Sequence, residues 1–177
     1  MPKTFGKAIK PEHLDLGLRM FLACPEEGDA EQARKLLAGA GLPSEAPTGH
    51  EANAVAAIGP YHVASLPSDL VERMLRSRIL QDLEEIHDIF TRLEVRMRGA
   101  SLLLVYEGEP NRLRQSLADT SAGVHGKAQV RLIDFGHATI VPGQGPDHGV
   151  LLGLRTVLAL VHKQLQRLEA KRRSANR

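Results

Sequence analysis

The sequence predicts an α+β domain in which strands pack against long helices, and three observations carry that reading. Residues 69–97 place Val71, Leu75, Ile79, Leu83, Ile86, Phe90 and Leu93 at steps of three and four, the spacing of an amphipathic helix. Residues 150–170 repeat the pattern through Val150, Leu151, Leu154, Val157, Leu158, Val161, Leu165 and Leu168. Between these helices, SLLLVYEG (101–108) and AQVRLIDF (128–135) are short apolar runs of strand length. At 177 residues the chain has the length of one domain, or of one lobe of a larger fold.

In chain order, residues 11–23 form a first helix with a stripe through Leu14, Leu18, Phe21 and Leu22, and Pro11 is tolerated in its first turn. Cys24-Pro25 ends it. Residues 29–38 form a short helix stopped by Gly39, and the glycine- and proline-rich stretch 39–67 reads as a long loop or insertion. In the helix at 69–97, Asp69 and Glu72 have capping-box spacing and Gly99 can close the end. The opposite face, with Glu72, Arg76, Glu84, Asp88 and Arg92, reads as solvated. The 101–108 run is expected to be a buried strand covered on both sides, with Leu102 and Leu104 assigned to opposite faces. Residues 109–127 read as a loop, 136–149 as a glycine-rich connection, and the terminal KRRSANR as a frayed basic tail.

Composition excludes several function classes. No window approaches 18 uncharged apolar residues, so no membrane span is expected, and the N-terminus lacks the apolar stretch of a secretory signal. The single cysteine, Cys24, can form no internal disulfide and points to a reducing compartment, here the nucleus or cytoplasm. A net charge of +2 and 3% aromatic residues argue against nucleic-acid binding by charge or base stacking. Anion binding must come from local placement of charge.

Ile133-Asp134-Phe135-Gly136-His137 is the most informative segment. Asp134 falls where a strand stops and a turn begins, so its backbone is fixed while its carboxylate is free at the rim. Such a group suits a hard cation that also takes phosphate oxygens and water; the competing reading is an aspartate that caps a turn. His137 is a candidate phosphate donor or a solvated turn residue. Asp134-Phe135-Gly136 also spells the metal triplet of protein kinases, but no H-R-D catalytic loop precedes it. Ser101, His137 and Asp134 lack the G-x-S-x-G context of a hydrolase triad, and His137 and His148 lack zinc spacing. The glycine-rich Gly143–Gly149 segment has no P-loop spacing, and Asp147 is expected to cap the last helix.

Taken in order, the motifs Thr4-Phe5-Gly6-Lys7, Leu93–Arg98 leading into Gly99–Gly108, Ile133–Ala138, Gly145–Gly149 and Leu152-Gly153-Leu154 resemble the C-terminal half of the inositol polyphosphate kinase family, most nearly its fungal multikinase branch. The resemblance implies a two-lobed kinase with antiparallel sheets and ATP between the lobes. Residues 1–177 would then be the large, C-terminal lobe, with insertions at 25–66 and 109–127. It assigns Asp134 to Mg²⁺ beside the ATP phosphates. Ser101, the second serine of the family's S-S-L-L motif, falls to the nucleotide, with Ala100 standing at the first. His137 and Lys7 are assigned to the inositol polyphosphate. The family's catalytic Asp-x-Lys pair has no counterpart, because no aspartate here is followed two positions on by lysine. The expectation is a lobe whose ATP-clamping N-terminal partner is missing and which alone has little kinase activity. A non-catalytic module that binds inositol phosphate or another protein is the alternative.

Overall fold

The computed structural model describes residues 10–22, 24–39, 66–118 and 128–175. The chain divides into two compact units, Met1–Pro67 and Ser68–Arg177.

In the first unit a 3₁₀ turn, Pro11–His13, leads into α1 (Leu14–Phe21), and α2 spans Asp29–Gly39. Leu16, Met20 and Ala33 form its core, with Leu36 packed against them. The buried apolar side chains of α1 are Leu16 and Met20; of the expected stripe Leu22 is fully buried just past the helix, Leu18 and Phe21 are half-buried and Leu14 is exposed. Arg19 decides this choice. It is buried, and its guanidinium donates to both carboxylate oxygens of Asp29 at 2.6 and 2.7 Å, with Asp15 at 3.0 Å. Asp29 also accepts the Glu26 amide at 2.8 Å. The Asp29 hydrogen bond and the surrounding carboxylates hold the Arg19 pKa above its ordinary value despite the opposing effect of burial.

The second unit opens with one continuous helical stretch: α3 (Ser68–Met74), a π-helical turn (Leu75–Ile79) and α4 (Leu80–Arg92). Val71, Leu75, Ile79 and Leu83 are all fully buried, at strict steps of four. Four exceeds the 3.6 residues of an α-turn, so such a row drifts around an ordinary helix, and the wider π turn absorbs the drift. Glu72 is not solvated as its spacing suggested. It is buried between Arg76 at 3.3 Å and Arg172 at 3.2 Å, and Arg76 also pairs with Glu169, tying α3 to the final helix.

The helix ends at Arg92, short of the expected 97, and Val95–Met97 is a strand, β1. β2 (Ser101–Tyr106) follows, then α5 (Pro110–Ala118) in the region read as a loop. Glu109 starts α5 by accepting the Asn111 and Arg112 amides at 3.0 and 2.7 Å, with Pro110 at the first helical position. β3 (Ala128–Ile133), a 3₁₀ turn (Phe135–His137) and β4 (Ala138–Ile140) precede α6 (His148–Ala175), which carries the KRR segment as helix. No helix among the described residues is long and apolar enough to cross a membrane.

The strands form two antiparallel ribbons, β1 with β4 and β2 with β3. Phe90, Leu151 and Leu154 are the core beneath them, joined by Ile86, Met97, Leu102, Leu132 and Val150. Leu102 and Leu104 lie on one face, as the period of two requires, and both are half-buried. Leu103 and Val105 occupy the other face and are exposed, so β2 is covered on one side rather than two. The class is α+β with antiparallel strands, as the sequence predicts.

Removing Arg19 leaves the buried Asp29 carboxylate without its counter-ion. Arg19→Ala is therefore expected to destabilise the first unit by about 3 kcal/mol, read as a lower urea midpoint of its helical signal.

Candidate functional site

The two ribbons are consecutive parts of one long antiparallel pair. Within β2–β3, Ser101 faces Ile133; within β1–β4, Met97 faces Ala138, and the Arg98 amide extends that ladder by donating to the His137 carbonyl at 3.4 Å. Between these rungs Gly99 and Ala100 on one strand face Asp134, Phe135 and Gly136 on the other. The extra residue breaks the ladder as a bulge does, re-aiming side chains at that point.

Backbone conformation marks both sides of the break. Gly99 has φ 72° and Asp134 has φ 69° with ψ 55°. Asp134 is the one non-glycine residue at positive φ among the described residues. Aspartate tolerates the left-handed region better than most side chains but still at a cost, and such conformations cluster at functional positions.

The break gathers three of the four sequence-predicted site residues. Asp134 directly follows the residue paired with Ser101, and His137 lies one short turn further on. Ser101, Asp134 and His137 are all exposed, and among the described residues their side chains make no hydrogen bond or ion pair. Lys7 lies outside the described residues. A cavity of about 340 Å³ lies on the helix-facing side of the same break, lined by Met97, Ala100, Leu102, Leu132 and Val150, and none of the predicted site residues lines it.

Other polar groups near the break are committed to holding it. Glu94 accepts the Gly143 and Gly145 amides at 2.7 and 3.0 Å. Arg96 donates to the Gly145 and Gln144 carbonyls, each at 2.9 Å. Asp147 accepts the Met97 amide at 3.0 Å and caps α6 through the Gly149 and Val150 amides at 2.9 and 3.2 Å. Gly143 and Gly145, at φ 78° and 67°, give the loop the left-handed turns that aim its amides inward. The amide of Gly143 is the main cause that lowers the Glu94 pKa; that of Met97 is the main cause for Asp147. Asp147 thus caps the helix as expected and also fastens β1 to it.

Glu94, Arg96 and Arg98 fall within a family motif but had no role assigned from the sequence. Their signal is a period-two alternation, Leu93, Val95 and Met97 against Glu94, Arg96 and Arg98, hidden at the end of a helical stripe that also claims Leu93.

Among the described residues no group of three or more His, Cys, Asp or Glu could enclose a metal. One free carboxylate beside a hydroxyl is too little for a zinc or calcium cage. It fits a divalent ion that completes its shell with phosphate oxygens and water.

Comparisons with known proteins place the chain in a family. The sequence profile of the inositol polyphosphate kinase family matches residues 62–162, and the chain belongs to that family. It is 28% identical over 130 residues to the inositol polyphosphate multikinase of Saccharomyces cerevisiae, covering 54% of this chain and 37% of the relative. It is 33% identical over 107 residues to mouse inositol hexakisphosphate kinase 3, covering 54% and 26%. The crystal structure of yeast inositol phosphate multikinase Ipk2 in complex with ADP and Mn²⁺ superposes with a TM-score of 0.50 at 29% identity, over 67% of this chain and 48% of that one. The chain thus spans between about a quarter and a half of the length of these relatives.

Two predictions follow from the fastening and the break. Both Glu94 and Asp147 have lowered pKa values in the fold, so the stability they add is present above the ordinary carboxylate range and is lost as pH falls through their folded values. Acid melts should therefore show a transition below about pH 4 that is diminished in a Glu94→Gln, Asp147→Asn double variant. At Asp134, asparagine tolerates the left-handed backbone and valine does not. Asp134→Asn should keep the wild-type thermal midpoint, and Asp134→Val should cost about 1–2 kcal/mol.

Proposed function

We propose that this chain supplies the metal and acceptor side of an ATP-dependent inositol polyphosphate kinase site. Asp134 would hold Mg²⁺, Ser101 would lie against the nucleotide, and His137 would face the phosphates of the inositol ring. The observation that carries this reading is Asp134 itself. It is an exposed carboxylate in a left-handed backbone, made to project at a ribbon break and left without a partner among the described residues.

The chemistry asked of these residues is placement and charge. Phosphoryl transfer to a ring hydroxyl needs its two substrates aligned and the developing charge neutralised more than it needs covalent participation. A divalent ion supplies charge screening at the transferring phosphate when bound. Asp134 would fix that ion's position relative to β2 and β3. Ser101, whose register sets it beside Asp134, would offer its hydroxyl to the nucleotide or to a metal-bound water. His137 would donate to a phosphate already on the acceptor. Family membership and the ADP and Mn²⁺ of the yeast structure support nucleotide and divalent-metal use.

The sequence contains no Asp-x-Lys segment to complete the transfer site. We therefore propose binding without efficient turnover for this chain by itself. A second reading is a non-catalytic module that binds an inositol phosphate or a protein, and the exposed apolar Leu103 and Val105 face of β2 supports its protein-docking form.

The test is calorimetry with Mg-ATP and an inositol trisphosphate, alongside a phosphate-transfer assay. The reading expects measurable Mg-ATP binding that Asp134→Asn weakens about tenfold or more, consistent with loss of a charged ligand, and negligible turnover. Robust turnover would overturn the proposed inactivity. Mg-ATP binding unaffected by Asp134→Asn would overturn the metal role.

A further inference from the structure

We propose that Arg98 is a second phosphate-binding cation beside His137, and that the two together grip one phosphate of the acceptor. The proposal rests on the reading of His137 given above and adds to it a residue that had no role assigned from the sequence.

The ladder places Arg98. The Val141 amide donates to the Glu94 carbonyl at 2.9 Å, Arg96 faces Thr139, and the Arg98 amide donates to the His137 carbonyl at 3.4 Å. Glu94, Arg96 and Arg98 are therefore alternate residues, Arg96 paired with Thr139 inside β1–β4 and Glu94 and Arg98 one step beyond its two ends, bonded through their backbones to Val141 and His137. Met97, on the alternate phase, packs into the core with Leu102 and Leu132. The backbone bond between Arg98 and His137 sets the two residues across from each other at the edge of the break. One phosphate group can bridge two donors carried by such neighbouring residues.

The fate of the three charges on that strand differs. Glu94 and Arg96 are both bound to the 143–145 loop. Arg98 is exposed, and its guanidinium has no hydrogen bond or ion pair among the described residues, although Asp134 lies just across the break. His137 is likewise exposed and without a side-chain partner there. Two nitrogen donors, one of them permanently cationic, thus stand opposite each other at the site and are unspent. A guanidinium adds the planar fork that binds phosphate through two parallel hydrogen bonds, which a lysine cannot reproduce.

The anion could instead be a phosphate of the nucleotide, so the experiment separates the two sources. The full chain is titrated calorimetrically with inositol trisphosphate and, separately, with Mg-ATP. Arg98→Ala should weaken inositol trisphosphate about tenfold or more, the usual scale for a charge-assisted contact, and leave Mg-ATP within about twofold. Arg98→Lys should recover part of the loss, and Arg112→Ala, an exposed arginine on α5, should change neither ligand. Arg98 is exposed, so the variants should melt with the wild type. Wild-type inositol trisphosphate affinity in Arg98→Ala, with His137→Ala impaired, overturns the role of Arg98 and leaves that of His137 standing. Loss of Mg-ATP instead assigns the residue to the nucleotide and overturns the proposal. A wild-type chain that binds no inositol trisphosphate overturns Arg98 and His137 together.

Discussion

A mismatch of one residue between two strands organises this molecule. A long antiparallel ribbon runs from Glu94 to Tyr106 on one side and from Ala128 to Val141 on the other, and at its middle two residues oppose three. An uninterrupted pair would have paired Asp134 in the ladder. The extra residue lifts it out instead, and the cost appears as a left-handed backbone at a residue with a side chain. Gly99 takes the matching turn on the other strand. The chemistry of the site depends on this irregularity being held in place.

What holds it is a set of charges spent on backbone groups. Glu94, Arg96 and Asp147 satisfy amides and carbonyls of the 143–150 segment and of Met97, so β1, the glycine-rich loop and the start of α6 are joined by side chains. Asp82 plays the same part from below, accepting the Val130 amide at 2.7 Å. The division of labour is sharp. Glu94, Arg96 and Asp147 are consumed by structure, while Asp134 within the break and Arg98, Ser101 and His137 at its edges make no side-chain hydrogen bond or ion pair among the described residues. Net charge near zero is consistent with this arrangement, because recognition of an anion here depends on a few placed groups.

Much of this was legible in the sequence, and the failures have physical causes. The strands at 101–106 and 128–133, the last helix and the role of Asp147 follow from apolar periodicity and capping chemistry. The order of short motifs pointed to the family that the comparisons establish. The helix predicted through residue 97 failed because Leu93 belongs to both a helical stripe and a strand alternation, and the pairing of β1 with β4 decides between them. Helix α5 was missed because its start is a glutamate reaching over a proline rather than a serine or aspartate cap. The stripe of α1 is right at Leu22 but shifts to Leu16 and Met20 within the helix, because the burial of Arg19 against Asp29 overrides the simple apolar count. Nothing local could show that Arg98 stands opposite His137, 39 positions away, since that depends on a register set by the mismatch.

The central claim is that the ribbon break is where a divalent cation is held. Paramagnetic line broadening tests it most directly: the chain is labelled with ¹⁵N and titrated with substoichiometric Mn²⁺ in the presence of ADP. The account predicts that amides around Ser101 and Asp134–His137 broaden first, while those of the last turns of α6, far along that helix from the loop it starts in, stay sharp, and that Asp134→Asn abolishes the selectivity. Broadening centred elsewhere, or unchanged by Asp134→Asn, would contradict it.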